Sequence, residues 1–217
     1  MRLSVVIPTL DAATHLAHTL ESVRGAGEIL VVDGGSTDAT VAIAETEGAR
    51  VLAAPRGRGA QLRAGGEAAR GEWLLFLHAD TRLDSDWREA AAAHMARRPE
   101  APACFRFRLD DPAWQARVIE RGVAARVRLL GFPYGDQGLL VPRALYERVG
   151  GFRPLPLMED VDLVRRLGRP HVLGVDAVTS AGRWRKDGWF ARSARNLFCL
   201  LLYRLGVPAE RVAALYG

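Results

Sequence analysis

A chain of 217 residues, 49% hydrophobic and 25% charged, is long enough to bury a substantial core and has the composition of an ordinary soluble globular domain. Its formal net charge of +5 is almost entirely arginine, Lys186 being the one lysine, and the basic residues are scattered rather than massed, which argues against nucleic-acid binding. No apolar run approaches the roughly 20 residues needed to span a bilayer.

The elements alternate through the first half. Leu3 to Ile7 reads as a strand, and Asp11 is placed to cap a helix with Ala13, Leu16, Leu20 and Val23 on one face, ending near Gly25. Ile29 to Val32 is the next strand, and Asp38 to Glu47 the next helix, with Asp38 as its N-cap and Gly48 as its stop. Arg50 to Ala53 is a short strand. A flexible arginine- and glycine-rich stretch, Arg56 to Arg63, follows it, and then a helix to about Arg70. Trp73 to Leu77 is a fourth strand, and Ser85 to Arg97 an alanine-rich helix halted before Pro99. This succession predicts a right-handed, mainly parallel α/β sheet.

The second half is less regular. Cys104 to Leu109 alternates like an edge strand, Trp114 to Leu130 is helical, and Gln137 to Val141 is a buried strand. Helices from Arg143 to Val149 and from Glu159 to Leu167 come next, with His171 to Val175 as a strand. Trp189 to Val207 is an amphipathic helix that packs on the body, on a second copy, or peripherally on a membrane surface. No linker interrupts the chain, so a single domain over 1–217 is expected, with a nucleotide-binding half at about 1–98. Cys104 and Cys199 lack metal-type spacing, and the N-terminus enters a strand without a signal-peptide pattern; a reduced, cytoplasmic protein is the expectation.

Two of the buried strands run into acids. Ile29 to Val32 is followed by Asp33-Gly34-Gly35-Ser36-Thr37-Asp38, and Trp73 to Leu77 by His78-Ala79-Asp80-Thr81. In open α/β sheets the ligand crevice lies beyond the carboxyl ends of the strands, so Asp33 and Asp80 belong to one edge. Asp33 is either a turn former or an acceptor for a nucleotide base. Asp80 follows a wholly apolar strand, where an enclosed carboxylate needs compensation, and a hard divalent ion such as Mg2+ or Mn2+ supplies it. Arg56-Gly57-Arg58-Gly59 lacks the full order of a dinucleotide-binding turn and suits a basic loop over a phosphate, with Arg58 as the contact. Glu159 and Asp160 suit a helix N-terminus on dipole grounds, or a general base. Asp162 lies around the helix from Asp160 and reads as a surface charge.

Val6-Ile7-Pro8-Thr9, Val31-Val32-Asp33-Gly34-Gly35-Ser36-Thr37-Asp38, Arg58-Gly59-Ala60-Gln61-Leu62, His78-Ala79-Asp80-Thr81, Gly135-Asp136-Gln137-Gly138, Met158-Glu159-Asp160-Val161-Asp162 and Arg183-Trp184 stand in order along nearly the whole chain. Together they resemble the family 2 glycosyltransferases, inverting enzymes of the Rossmann-like GT-A fold, and in particular a short soluble bacterial subgroup. The resemblance implies a nucleotide-sugar donor, a uridine-linked one favoured, and an acceptor hydroxyl bound by the half from about 99 to 217. It implies that Asp33 meets the base, with Pro8 and Thr9 as the wall beside it. Asp80 takes the metal, Mg2+ or Mn2+, at the second acid of the family's Asp-x-Asp. His78 stands where the first acid would be, open to ribose, phosphate, the metal or plain packing. Asp160 is implied as the base and Glu159 as its support, Asp136 and Gln137 as the acceptor pocket, Arg183 as a partner of the diphosphate, and Trp184 as a platform for the acceptor or a core aromatic. Ser180 replaces the glutamine of the Gln-x-x-Arg-Trp found in processive synthases, which argues against processivity. The rivals are a sugar-phosphate nucleotidyltransferase, disfavoured because Pro8-Thr9-Leu10-Asp11 stands where its glycine-rich loop would, and a catalytically silent nucleotide-sugar-binding protein.

Overall fold

The computed structural model describes residues 2–216. Strands β1 (Leu3–Thr9), β2 (Glu28–Asp33), β3 (Arg50–Ala53) and β4 (Trp73–Phe76) are linked by helices α1 (Ala13–Ser22), α2 (Thr40–Thr46) and α3 (Arg58–Ala68). β1 lies parallel between β2 and β4, and β3 runs parallel on the far side of β2. The strands read as unbroken apolar runs because both faces are covered. Val5, Ile7, Val31 and Leu75 pack on one side with Leu16 and Leu20 of α1, while Val6, Leu30, Val32 and Leu74 pack on the other with Leu62 of α3.

The chain continues through β5 (Thr81–Leu83), α4 (Trp87–Arg97), β6 (Ala103–Leu109), α5 (Trp114–Leu130), a single 3-10 turn at Gly135–Gln137, β7 (Leu139–Pro142) and α6 (Arg143–Arg148). It ends in α7 (Glu159–Leu167), β8 (His171–Thr179), α8 (Gly182–Asp187), α9 (Trp189–Arg204) and α10 (Ala209–Tyr216). All strands join one 8-stranded sheet in the order β3-β2-β1-β4-β7-β6-β8-β5. β7 is antiparallel to β4 and β6, and β5 is antiparallel to β8, so an antiparallel portion is grafted onto the parallel half.

Several expectations need correction. β6 is an interior strand between β7 and β8, not an edge. Its alternating arginines mimic a solvent edge, but Arg106 and Arg108 both bond Asp176 on β8, at 2.6 and 3.0 Å. Arg58 to Arg63 is not a flexible loop; α3 begins at Arg58. A Cβ on Gly59 would come within 2.6–2.8 Å of backbone at Arg153 and Leu155, so this glycine permits close packing instead of supplying flexibility. Asp38 accepts from the first amide of α2, Thr40, at 2.9 Å as expected, and it also takes the place at α1 that was expected of Asp11. The α1 amide of Ala13 donates to Asp38 Oδ2 at 3.1 Å, while Asp11 (φ +48°) turns away to accept from the Thr37 amide at 2.8 Å.

Candidate active site

The carboxyl edge of the sheet supplies the first wall. Thr9 and Asp33 are register partners at the ends of β1 and β2. Asp33 Oδ1 accepts from the Thr9 hydroxyl at 3.0 Å and the Ser36 hydroxyl at 2.5 Å; Oδ2 accepts from the Gly35 and Ser36 amides at 2.9 and 2.8 Å. Burial opposes the charge, but the bonds from Ser36, Thr9 and Gly35 outweigh it and hold the carboxyl below its ordinary value. Asp33 therefore already staples its own loop, and a nucleotide base reaches it only by displacing one of these donors. Gln61 braces the same edge from α3, its amide donating to the Thr9 and Val32 carbonyls at 2.7 and 2.8 Å.

Beyond β4 the chain turns through His78-Ala79-Asp80. The Asp80 carbonyl accepts from the Ser180 amide at 3.1 Å, tying this turn to the end of β8. Its carboxylate is free of tight partners among the described residues, with Arg183 Nη2 at 4.0 Å and the Thr81 hydroxyl at 3.5 Å. The His78 ring lies so close over Gly135 that a Cβ there would approach Nε2 to 2.4 Å. His78 Nε2 is buried and has no hydrogen-bond partner among the described residues. Burial and the Arg58 charge outweigh the nearby carboxylates of Asp80 and Asp160 and push the imidazole down to about 4, so it is neutral at neutral pH.

The opposite wall is the start of α7, entered through Met158 in the left-handed region at φ +65°, an uncommon conformation for a side chain of this size. Glu159 is wholly buried and ion-paired with Arg58, the first residue of α3. Burial pushes the Glu159 carboxyl up against the pull of Arg58; burial likewise opposes the Arg58 charge, but Glu159 and Asp160 prevail and hold the guanidinium above its ordinary value. Asp160 Oδ2 accepts from the Gly135 amide at 2.7 Å, and Oδ1 from the Val161 amide at 2.7 Å. Asp162 is no surface charge. It is buried on Arg166 at 2.5 Å and Arg153 at 3.2 Å, with the Tyr203 hydroxyl at 3.3 Å, because α9 and α10 cover α7 through Cys199, Leu200 and Val212.

Two clefts meet between these walls. An outer cleft of about 530 Å3 runs past Pro8, Thr9, Arg56 and Gln61, and an inner one of about 80 Å3 ends on Tyr134, Asp136, Asp160, Trp184 and Asn196. Arg58, His78, Asp80 and Arg183 line both. Three other sequence candidates stand behind this surface: Asp33 under its loop, Glu159 under Arg58, and Gln137 facing away. The Gln137 amide donates to the Phe105 carbonyl at 3.0 Å and lines a separate hollow between β6 and α5. Trp184 packs 5.9 Å from Phe107 in a core cluster, as the core-aromatic reading expects, and it also lines the inner cleft. Tyr134 and Asn196 carried no signal in the sequence, since each reaches the site from an element whose position depends on helices packed later in the chain; Met158 stood in a motif but was assigned no role. Asp136 is unusual within the inner cleft. Burial pushes its carboxyl up to about 6, with Asp160 and Asp80 adding to the rise and Arg126 and Arg58 opposing it, and its Oδ1 has no partner among the described residues.

Among the described residues no three His, Cys, Asp or Glu side chains converge to hold a metal on protein atoms alone. The donors that exist are the Asp80 carboxylate and the orphaned His78 Nε2. That set fits an ion such as Mg2+ or Mn2+, which takes one or two protein ligands and completes its shell with phosphate oxygens and water.

A sequence model described as glycosyl transferase family 2 matches residues 4–153. A PGL/p-HBAD biosynthesis glycosyltransferase of Mycobacterium tuberculosis is 38% identical over 91 residues, which cover 37% of this chain and 36% of that protein. An uncharacterized glycosyltransferase of Rickettsia felis is 36% identical over 87 residues, covering 39% of this chain and 31% of its own length. The aligned regions thus span about a third of these curated relatives. Among solved structures, Staphylococcus aureus TarS 1-349 in complex with UDP-GlcNAc superposes with TM-score 0.65 at 16% identity, over 100% of this chain and 70% of that one. Glucosyl-3-phosphoglycerate synthase from M. tuberculosis, in complex with Mn2+, UDP and glucosyl-3-phosphoglycerate, gives TM-score 0.63 at 20% identity, over 95% and 81%. At these identities the likeness is one of fold.

Proposed function

The chain belongs to glycosyl transferase family 2, and from that premise we propose that it transfers a sugar from a nucleotide-sugar, a uridine-linked one favoured, to an acceptor hydroxyl with inversion at the anomeric carbon. The observation that carries the reading is the junction of the two clefts: a donor-sized space and a smaller one ending on carboxylates share Arg58, His78, Asp80 and Arg183. A reaction that breaks a sugar–diphosphate bond and forms a new glycosidic bond needs that layout.

The nucleoside lies against Pro8 and Thr9, with Asp33 behind them shaping the loop and receiving the base where it displaces one of that loop's donors. The diphosphate lies at the junction, where Arg58 and Arg183 meet the charge that grows on it as the bond to the sugar breaks. Asp80, with His78 Nε2, would hold a divalent ion there, and that ion supplies further charge stabilisation on the leaving diphosphate. The glucosyl-3-phosphoglycerate synthase structure, which contains Mn2+ and UDP, supports this choice of cofactor. Asp160 takes the proton of the acceptor hydroxyl as its oxygen attacks the anomeric carbon from the face opposite the diphosphate. Each Asp160 oxygen is aimed by one backbone amide and retains a lone pair for the proton. Asp136 lies beside it with a carboxyl raised to about 6, in the range suited to general base catalysis, and this favours it as the second candidate for the same task.

The test is product detection by mass spectrometry over a panel of UDP-, GDP- and TDP-sugars, with and without Mn2+ and with a panel of hydroxyl acceptors. Release of nucleoside diphosphate together with an inverted glycoside supports the reading. Release of pyrophosphate from a nucleoside triphosphate and a sugar phosphate would replace it with nucleotidyl transfer. Tight donor binding with no turnover across the panel would leave a silent binding protein.

A further inference from the structure

Between α5 and α9 lies another cavity, of about 210 Å3, that the transfer reaction as described does not use. Its walls are mostly apolar: Phe107, Val118, Ile119, Val123, Phe190 and Leu197. It adjoins the inner cleft, since Tyr134, Asp136, Trp184 and Asn196 line both. At its outer mouth Val118, Phe190 and Leu197 are 43%, 52% and 52% exposed, and Trp114 lies 5.9 Å from Phe190 as part of the rim. The slot therefore lies between the wall of the inner cleft and an apolar patch of surface.

Gly122 lies on the slot in the middle of the 17-residue α5. A glycine there weakens the helix relative to alanine. No backbone reason requires it: its φ is not positive, and a Cβ would meet no heavy atom within 4 Å among the described residues. Gly122 is exposed, so the space it leaves open is at the mouth of the slot. At the inner end Asp136 Oδ1 and Asn196 Oδ1 are buried with no partner among the described residues, so polar acceptors stand ready where the slot joins the cleft. An apolar passage that ends in orphaned acceptors beside Asp160 is complementary to an amphipathic molecule with its hydroxyl end inward.

We propose that this slot is an acceptor subsite for an apolar group, an aryl ring or a short alkyl chain, carried by the molecule whose hydroxyl reaches Asp160. The inference rests on the transferase reading for its orientation and adds the acceptor class: an amphipathic alcohol instead of a wholly polar sugar. A membrane surface or a second copy has access only to the rim, whereas the apolar walls continue inward to the residues of the cleft.

The test is calorimetric titration of the full chain with n-alkanols from ethanol to octanol and with benzyl alcohol, each with and without UDP and Mn2+. Affinity should rise about fourfold per methylene until the slot is full, the increment for burying one CH2. Gly122→Leu, which fills the slot and favours the helix, should flatten that dependence while leaving UDP affinity unchanged; Gly122→Ala should give an intermediate slope. Benzyl alcohol binding above or below hexanol tells an aryl from an alkyl preference. A flat series in the wild type, or a slope that survives Gly122→Leu, overturns the subsite. Sedimentation at the same concentration reads the rival occupant: a dimer that Phe190→Asp splits, with no alcohol bound, assigns the slot to a second copy. UDP binding is read in the same titrations, so a chain that binds UDP and not alcohols loses only the subsite. One that binds alcohols in the slot and not UDP loses the transferase reading.

Discussion

Replacing Asp160 by asparagine separates the chemistry from the scaffold. Its two carboxylate oxygens each accept one backbone amide at 2.7 Å, from Gly135 and Val161. Asparagine offers one oxygen, so one of those amides faces an NH2 group and loses its acceptor. That costs about 1–3 kcal/mol of stability, the price of an unsatisfied buried donor. For a domain of this size each kcal/mol lowers the melting temperature by about 2–4 °C, so the variant should melt roughly 2–12 °C lower and stay folded at 25 °C. The catalytic loss should be larger. Removing a general base slows transfer roughly 10²–10⁴-fold, about 3–5 kcal/mol on the barrier. The assay pairs transfer from a labelled UDP-sugar, below the variant's melting temperature, with UDP calorimetry, where affinity should stay within about threefold because Asp160 lines the inner cleft and not the outer one. A folded, UDP-binding variant that transfers within tenfold of wild type refutes the assignment. If Asp136→Asn collapses transfer instead, the base is the neighbouring carboxylate.

Asp162→Ala should leave UDP affinity intact and lower stability by about 1–3 kcal/mol in a denaturant titration, because Arg166 and the Tyr203 hydroxyl lose a buried partner while water takes up the exposed Arg153; an unchanged stability would show that the cluster contributes none. Asp136 should make stability pH-dependent. Its carboxyl is raised from 3.8 to about 6, so between those values the folded chain holds a proton that the unfolded chain has released, and its contribution to stability falls as pH rises through that window. Asp136→Asn should therefore melt higher than wild type at pH 7, by at most about 3 kcal/mol at 1.36 per pH unit, with the gain fading toward pH 4; an equal difference at every pH contradicts the shift. Asp33→Ala strips the Thr9 and Ser36 hydroxyls and the Gly35 and Ser36 amides of their acceptor. It should both lower the melting temperature and weaken UDP binding roughly 5- to 150-fold, the equivalent of 1–3 kcal/mol; unchanged affinity in a folded variant removes the loop from the donor site.

The parallel half was legible because its information is local. Strands covered on both faces must be apolar throughout, and glycines and acids punctuate their ends, so β1 to β4 and the positions of Asp33 and Asp80 follow from short windows of residues. α5 and α7 were legible at both ends for the same reason: a helical period, with Gly131 and Gly168 as stops. β5 and α8 were not: β5 has three residues and is held by pairing with a strand nearly a hundred positions away, and α8 has six, of which Trp184 alone is a large apolar residue, so no apolar face shows.

What the sequence determined by itself was therefore the order of layers, the sheet edge that carries the site, and most of the side chains that meet there. What only the tertiary structure decided was which way each acid faces. Asp160 and Asp162 stand two residues apart on one helix, yet one lines the inner cleft and the other is locked under Tyr203 by helices placed some forty residues later. The same long-range packing turned Gln137 inward to Phe105, put Arg58 on Glu159, and opened a slot beside Gly122 between two helices remote in sequence. A helical or strand period reports which face is apolar; it carries no information about which distant element comes to cover a polar one, and at this site that covering separates a base from a buried ion pair.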